Sequence, residues 1–297
     1  SANSATDIAT VGRAGQFMHF DGHTWSRNDI PDSLMDDPVR DNYFALWADG
    51  NQGYWMAAHD VIDTFAYILY WDGSSYDVGA YTRYTLDSTE MIWAMHGSAP
   101  DNIWAGGDDG FMTHWDGTSW VQHFLPISPD GYRVHYIYTV SETEAYANVS
   151  HHLWDANIYL YRWDGSTWSV VYSDTDSYAR NILYDKENTT ICVAYSGTNA
   201  KVICSSDHGN TWFVLFADTG GYNIFRIFGN SKHLYFFTQE SRIAYYNTKN
   251  DEIIHIYRES SSTDDDDSTY AMQYVWYDIV NDFIIIFGNY NKIIIHR

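Results

Sequence analysis

The chain is predicted to be all-β: a single β-propeller domain over residues 1–297, built from about seven blades of four-stranded antiparallel sheet. Three observations predict it. A short motif, Trp-Asp-Gly followed by Ser or Thr and a second aromatic, recurs at the length of one blade. Alternating apolar and polar runs fill the intervals, four to a repeat, with no helical period. Aromatic residues make up 18% of the chain, with 13 Trp and 26 Tyr, types that favour strands.

The first unit begins near the second strand of a blade, at Asp7–Gly12, and closes on His19-Phe20-Asp21-Gly22-His23-Thr24-Trp25. Three full copies follow: Tyr70-Trp71-Asp72-Gly73-Ser74-Ser75-Tyr76, His114-Trp115-Asp116-Gly117-Thr118-Ser119-Trp120 and Arg162-Trp163-Asp164-Gly165-Ser166-Thr167-Trp168. A fifth copy, Ser205-Ser206-Asp207-His208-Gly209-Asn210-Thr211-Trp212, places its Asp one residue earlier. The closing aromatics stand at 25, 76, 120, 168 and 212, which gives spacings of 51, 44, 48 and 44. Two degenerate units complete the chain. Residues 222–257 hold four strand-like runs, with Tyr245-Tyr246-Asn247 in the motif position, and residues 270–297 hold three. The runs number 26, two short of seven full blades, so seven blades are expected with the two incomplete units meeting at the ring closure. Six blades with an overhanging hairpin is the alternative.

Within each copy the motif reads as the end of one strand, a tight turn, and the start of the next. Gly22, Gly73, Gly117, Gly165 and Gly209 supply the positive φ such a turn needs, and Asp21, Asp72, Asp116, Asp164 and Asp207 bond the turn amides. Trp25, Trp120, Trp168 and Trp212 open the following strand and pack between strands. These residues are scaffold. The residue before each motif aromatic varies: His19, Tyr70, His114, Arg162 and, in degenerate form, Tyr245. Amphipathic side chains at equivalent places around a ring are the candidate ligand-binding set, the bland reading being that they pack between blades with their tips bonded.

Cys192 and Cys204 flank Ser196-Gly197-Thr198-Asn199. A hairpin with a three-residue loop at 197–199 sets residues summing to 396 opposite each other, which pairs these two cysteines. A disulfide is expected, with two buried free thiols as the alternative. It points to an oxidising compartment, hence secretion or an extracellular surface. Sequons at Asn148 and Asn188 fit secretion but are also expected by chance. The chain begins at Ser1 with no charged-then-apolar leader, which fits a removed secretory leader or a trimmed chain.

The formal charge is -23, from 39 acidic and 16 basic residues. Nucleic acid is repelled, whereas a basic or neutral partner suits this surface. No apolar run reaches the length of a membrane span, the strongest being Phe283–Phe287. The run Asp264–Asp267 is the one candidate for calcium, and an exposed acidic loop is the favoured reading because no pattern supplies converging oxygens. No other cofactor is expected. His151-His152 and His59-Asp60 make poor metal sites, since adjacent strand residues face opposite ways.

Residues 92–120 resemble the repeat of secreted bacterial propellers of the Asp-box, or bacterial neuraminidase repeat, class, and residues 205–212 match the Asp-box pattern Ser-x-Asp-x-Gly-x-Thr-Trp in full. The resemblance implies the propeller fold and is silent on activity, because the class holds sialidases, other glycosidases, lectins and assembly factors. The sialidase Phe-Arg-Ile-Pro motif has only Phe225-Arg226-Ile227-Phe228 to match it here, placed after the full Asp-box instead of before it. The expected function is therefore a non-catalytic extracellular recognition module that binds a glycan or a protein partner, with self-association in an appendage, envelope or virion assembly as a variant. The alternative is a glycoside hydrolase or lyase with two carboxylates at the channel mouth, a pair that the sequence does not select.

Overall fold

The computed structural model describes residues 1–12, 16–31, 34, 42–60, 65–77, 82–85, 91–126, 131–151, 157–175, 177–198, 200–217, 224–230, 233–238, 242–247, 252–258, 272–278, 283–288 and 293–296. It divides into two compact units, one of residues 1–154 with 159–170, the other of 155–158 with 171–297. Among the described residues no helix is long and apolar enough to cross a membrane.

The first four sheets run in chain order. They are β1 (Ala2–Ser4), β2 (Asp7–Val11), β3 (Phe17–Phe20) and β4 (Trp25–Arg27); β5 (Asn42–Ala48), β6 (Tyr54–Asp60), β7 (Phe65–Trp71) and β8 (Thr82–Thr85); β9 (Ile92–Ala99), β10 (Asn102–Gly107), β11 (Phe111–Trp115) and β12 (Trp120–Phe124); and β13 (Tyr132–Ser141), β14 (Glu144–His151), β15 (Ile158–Trp163) and β16 (Trp168–Asp174). Three more follow. They are β17 (Ser177–Asp185), β18 (Thr190–Gly197), β19 (Lys201–Ser205) and β20 (Phe213–Ala217); β21 (Ile224–Gly229), β22 (His233–Thr238), β23 (Arg242–Asn247) and β24 (Glu252–Arg258); and β25 (Met272–Asp278), β26 (Phe283–Gly288) and β27 (Ile293–His296).

Every sheet is an antiparallel meander in sequence order, so the turn after the first strand and the turn after the third share one end. The first sheet has a strand that the apolar pattern did not announce. Ala2–Ser4 carries no alternation, yet it pairs with β2, and Ser1 and Ala9 exchange backbone bonds of 2.9 and 3.0 Å. Short polar edge strands are held by such bonds alone, which leave no trace in periodicity.

Burial follows strand position. First strands pack beside first strands, β5 with β9 and β9 with β13 in one unit, β17 with β21 and β21 with β25 in the other. Second strands are covered on both faces: all of β10 is buried, and all but the last residue of β14 and of β18. Small residues let the sheets meet there. A Cβ on Gly106 would lie 2.7 Å from Met112 and 2.9 Å from Val134 of the next sheet. Fourth strands are the outer edges, and the exposed large apolar residues Trp25, Val121, Phe124, Val170, Phe213 and Val214 all lie on them.

In the second unit Cys192 and Cys204 face each other in the β18–β19 register, 4.1 Å apart at Cα, and are joined by a disulfide. Among the described residues there is no free cysteine.

Candidate functional site

The motif turns use their side chains fully. In the first four copies one Asp Oδ1 accepts two successive backbone N–H bonds of 2.7 to 2.9 Å: Asp21 from His23 and Thr24, Asp72 from Ser74 and Ser75, Asp116 from Thr118 and Ser119, Asp164 from Ser166 and Thr167. The glycine between takes φ of 92°, 98°, 89° and 95°. Asp207 of the fifth copy instead takes bonds from the amide and hydroxyl of Thr211, at 2.9 and 2.7 Å, and from the Ser205 hydroxyl at 2.8 Å. These donors stabilise the carboxylate form. The Ser75 amide on Asp72, the Thr118 hydroxyl on Asp116, the Thr167 amide on Asp164 and the Thr211 hydroxyl on Asp207 lead the donor sets that pull each acid down to about 2. Asp21 is lowered chiefly by the Thr24 amide.

The motif aromatics do more than separate strands. In the first unit they cross to the preceding sheet and close on one aromatic there. Trp71 and Tyr76 meet Phe17 at 5.2 and 6.4 Å, Trp115 and Trp120 meet Trp55 at 5.2 and 5.5 Å, and Trp163 and Trp168 meet Trp104 at 5.0 Å each. The repeat is thus an inter-sheet clasp, built from edge-to-face and tilted pairs.

The variable residues before the motif are held apart, each within its own sheet. His19 Nε2 lies 2.6 Å from Asp7 Oδ1, the Tyr70 hydroxyl donates to Asp49 Oδ2 at 2.7 Å, and His114 Nε2 lies 2.7 Å from Asn102 Oδ1. His114 also stacks on Trp104 at 4.4 Å, and its burial, with the nearby His123, lowers its pKa. Arg162 has its Nε buried with no hydrogen-bond partner among the described residues. Tyr245 sits on β23, in register with Tyr235 and Ile254.

One of these positions opens into a cleft. Between the second and third sheets a space of about 420 Å³ is lined by Trp55, Tyr70, Asp77, Pro100, Asp101, Trp115 and Gly117. Its aromatic members are mutually packed, Trp55 to Tyr70 at 4.8 Å and Trp55 to Trp115 at 5.2 Å. Trp55 is 3% exposed, and its Nε1 has no hydrogen-bond partner among the described residues. Asp77 and Asp101 are exposed. Tyr70 reaches Asp49 only because residue 53 is glycine, for a Cβ there would collide with the Tyr70 hydroxyl and with Asp49. Partial burial of the phenol, then its bond to Asp49 and the nearby Asp72 and Asp77, raise its pKa.

A second polar cluster escaped sequence reasoning. Asp108 accepts from the Met91 amide at 2.9 Å, from Trp93 Nε1 at 2.7 Å and from Arg133 Nε at 2.7 Å, and the Arg133 guanidinium lies 3.8 Å from the Trp93 ring centre. It ties three strands by long-range bonds, so no spacing announces it, and its donors are consumed within the fold. Among the described residues no group of three or more His, Cys, Asp or Glu is placed to hold a metal ion. Asp264–Asp267 and His152 lie outside the described residues.

No family model matches the chain, and no curated protein does. Solved structures resemble it in fold. The β-propeller domain of Myceliophteria thermophila Cps50 (Swd1) is 10% identical with a TM-score of 0.67, over 99% of this chain and 94% of that one. A structure of YCF48 bound to D1 peptide is 13% identical, TM-score 0.57, over 85% and 78%. A chain of a nidogen/laminin complex is 12% identical, TM-score 0.52, over 84% and 91%. With antiparallel four-stranded sheets throughout most of its length, the chain has the β-propeller fold.

Proposed function

We propose that this chain is a non-catalytic extracellular recognition module whose partner is a polypeptide, bound at the cleft between the second and third sheets. The observation that carries the reading is the cleft itself: three aromatic side chains and two acids in a space large enough for a side chain with its flanking backbone. Two propellers of similar fold are seen with polypeptide partners, YCF48 with D1 peptide and nidogen with laminin. The Cys192–Cys204 disulfide supports an extracellular setting. We read the six four-stranded sheets and the three-stranded one as seven blades, and the Ser205–Trp212 turn as an Asp-box.

Hydrolysis is the weaker reading. Asp77 and Asp101 are both open to solvent, whereas glycosidases enclose their acid from water. Parallel peptide and glycan arrays, probed with the folded chain and with Trp115→Ala, test the proposal. Peptide binding lost in Trp115→Ala but kept in Trp25→Ala is expected. Binding to glycans alone, or turnover of chromogenic glycosides that depends on Asp101, overturns it.

A further inference from the structure

Resting on that cleft being the recognition site, we infer that it takes a cationic side chain, for which arginine fits best. The faces of Trp and Tyr rings carry the negative end of their quadrupole, and a guanidinium set over such faces is attracted to them. Here Tyr70 and Trp115 both pack on Trp55 and all three line one space. Among the described residues the charged side chains that line the space are both acidic, Asp77 and Asp101. The field extends beyond the lining, since Asp49 and Asp72 also act on the Tyr70 phenol. At a formal charge of -23 the whole surface draws a cationic segment inward. Arginine combines a planar face for the rings with a fork for carboxylates, and it is less strongly hydrated than lysine.

A neutral sugar draws no Coulombic gain from the two acids.

Among the first four sheets the acids differ from interface to interface. The residue packed against the motif glycine is Thr6 in the first sheet, Gln52 in the second, Asp101 in the third and Thr143 in the fourth. The residue after the motif's closing aromatic is Ser26, Asp77, Val121 and Ser169 in the same order. At these two positions, among the first four sheets, two acids come together only between the second and third.

The test titrates the full chain with Ac-Gly-Arg-Gly-NH2, with its citrulline analogue and with methyl pyranosides, followed by tryptophan emission and calorimetry. The arginine peptide is expected to saturate, and about tenfold weaker binding is expected both for citrulline and for Asp77→Asn/Asp101→Asn. Both substitutions are at exposed positions and keep the side-chain shape, so folding is retained. Equal binding of citrulline, or unchanged binding by the double variant, overturns the cationic assignment while array-detected peptide binding leaves the recognition reading intact. Saturation by pyranosides with the arginine peptide silent overturns both the assignment and the polypeptide reading.

Discussion

Replacing Trp104 by alanine and by phenylalanine separates two contributions that the clasp combines. Trp104 is fully buried on β10, and its ring meets His114 at 4.4 Å and His123, Trp163 and Trp168 at 5.0 Å each. Its Nε1 has no hydrogen-bond partner among the described residues. Removing the ring leaves a cavity at the meeting of two sheets, so Trp104→Ala is expected to cost about 3–5 kcal/mol. Phenylalanine keeps most of the contact. The area it gives up costs on the order of 1 kcal/mol at about 25 cal/mol/Å². Against this, removing an unmet buried donor returns about 1–3 kcal/mol. Trp104→Phe should therefore stay within about 1–2 kcal/mol of the parent, on either side. Urea unfolding followed by far-ultraviolet circular dichroism gives both numbers without relying on the emission the substitution alters. A Phe variant as unstable as the Ala variant refutes the reasoning. It would mean that the indole N–H is satisfied, with the faces of Trp163 or Trp168 as π acceptors.

Three further outcomes are expected. Cys192→Ser/Cys204→Ser opens a loop with a sequence separation of 12 and should lower stability by about 3 kcal/mol, read as a fall in the denaturation midpoint. Acid should act in two stages. His114 and His123 have lowered folded pKa values, so their contribution is complete above the ordinary histidine value and is lost as pH falls below it; the turn acids, held at about 2, contribute above about 3.8 and lose that contribution between there and about 2. Thermal melts across pH 7 to 2 that show one featureless decline would contradict this. Gly53→Ala should displace the Tyr70 hydroxyl from Asp49 and weaken cleft binding at least as much as Tyr70→Phe does, measured in the same titration.

The turns and the β18–β19 register were legible because they are local. A Gly at positive φ three residues before an aromatic and two cysteines placed symmetrically about Gly197–Asn199 are patterns within a dozen or so residues. The clasp was half legible. The sequence marks Trp115 and Trp120 as strand-end aromatics, but their meeting with Trp55 joins residues in different sheets, and no period in the chain encodes it. The Asp108–Arg133–Trp93 cluster was invisible for the same reason.

The repeat offers one candidate position before each motif, and the geometry gives these positions unlike surroundings. His19 and His114 are short and reach a partner at the start of the adjoining second strand, Asp7 and Asn102. Each tip is thereby spent next to the strand that carries it. Tyr70 is longer and passes over Gly53 to Asp49, in the turn before the strand. Its ring then lines open space facing Trp115 and Asp101 of the next sheet. The scaffold repeats, so the set Gly53, Tyr70, Asp77 and Asp101 is what sets this charged cleft apart from a packed interface. Transplanting Gly53, Tyr70, Asp77 and Asp101 into the matching positions of the third and fourth sheets should therefore create a second cleft, with no change to either motif.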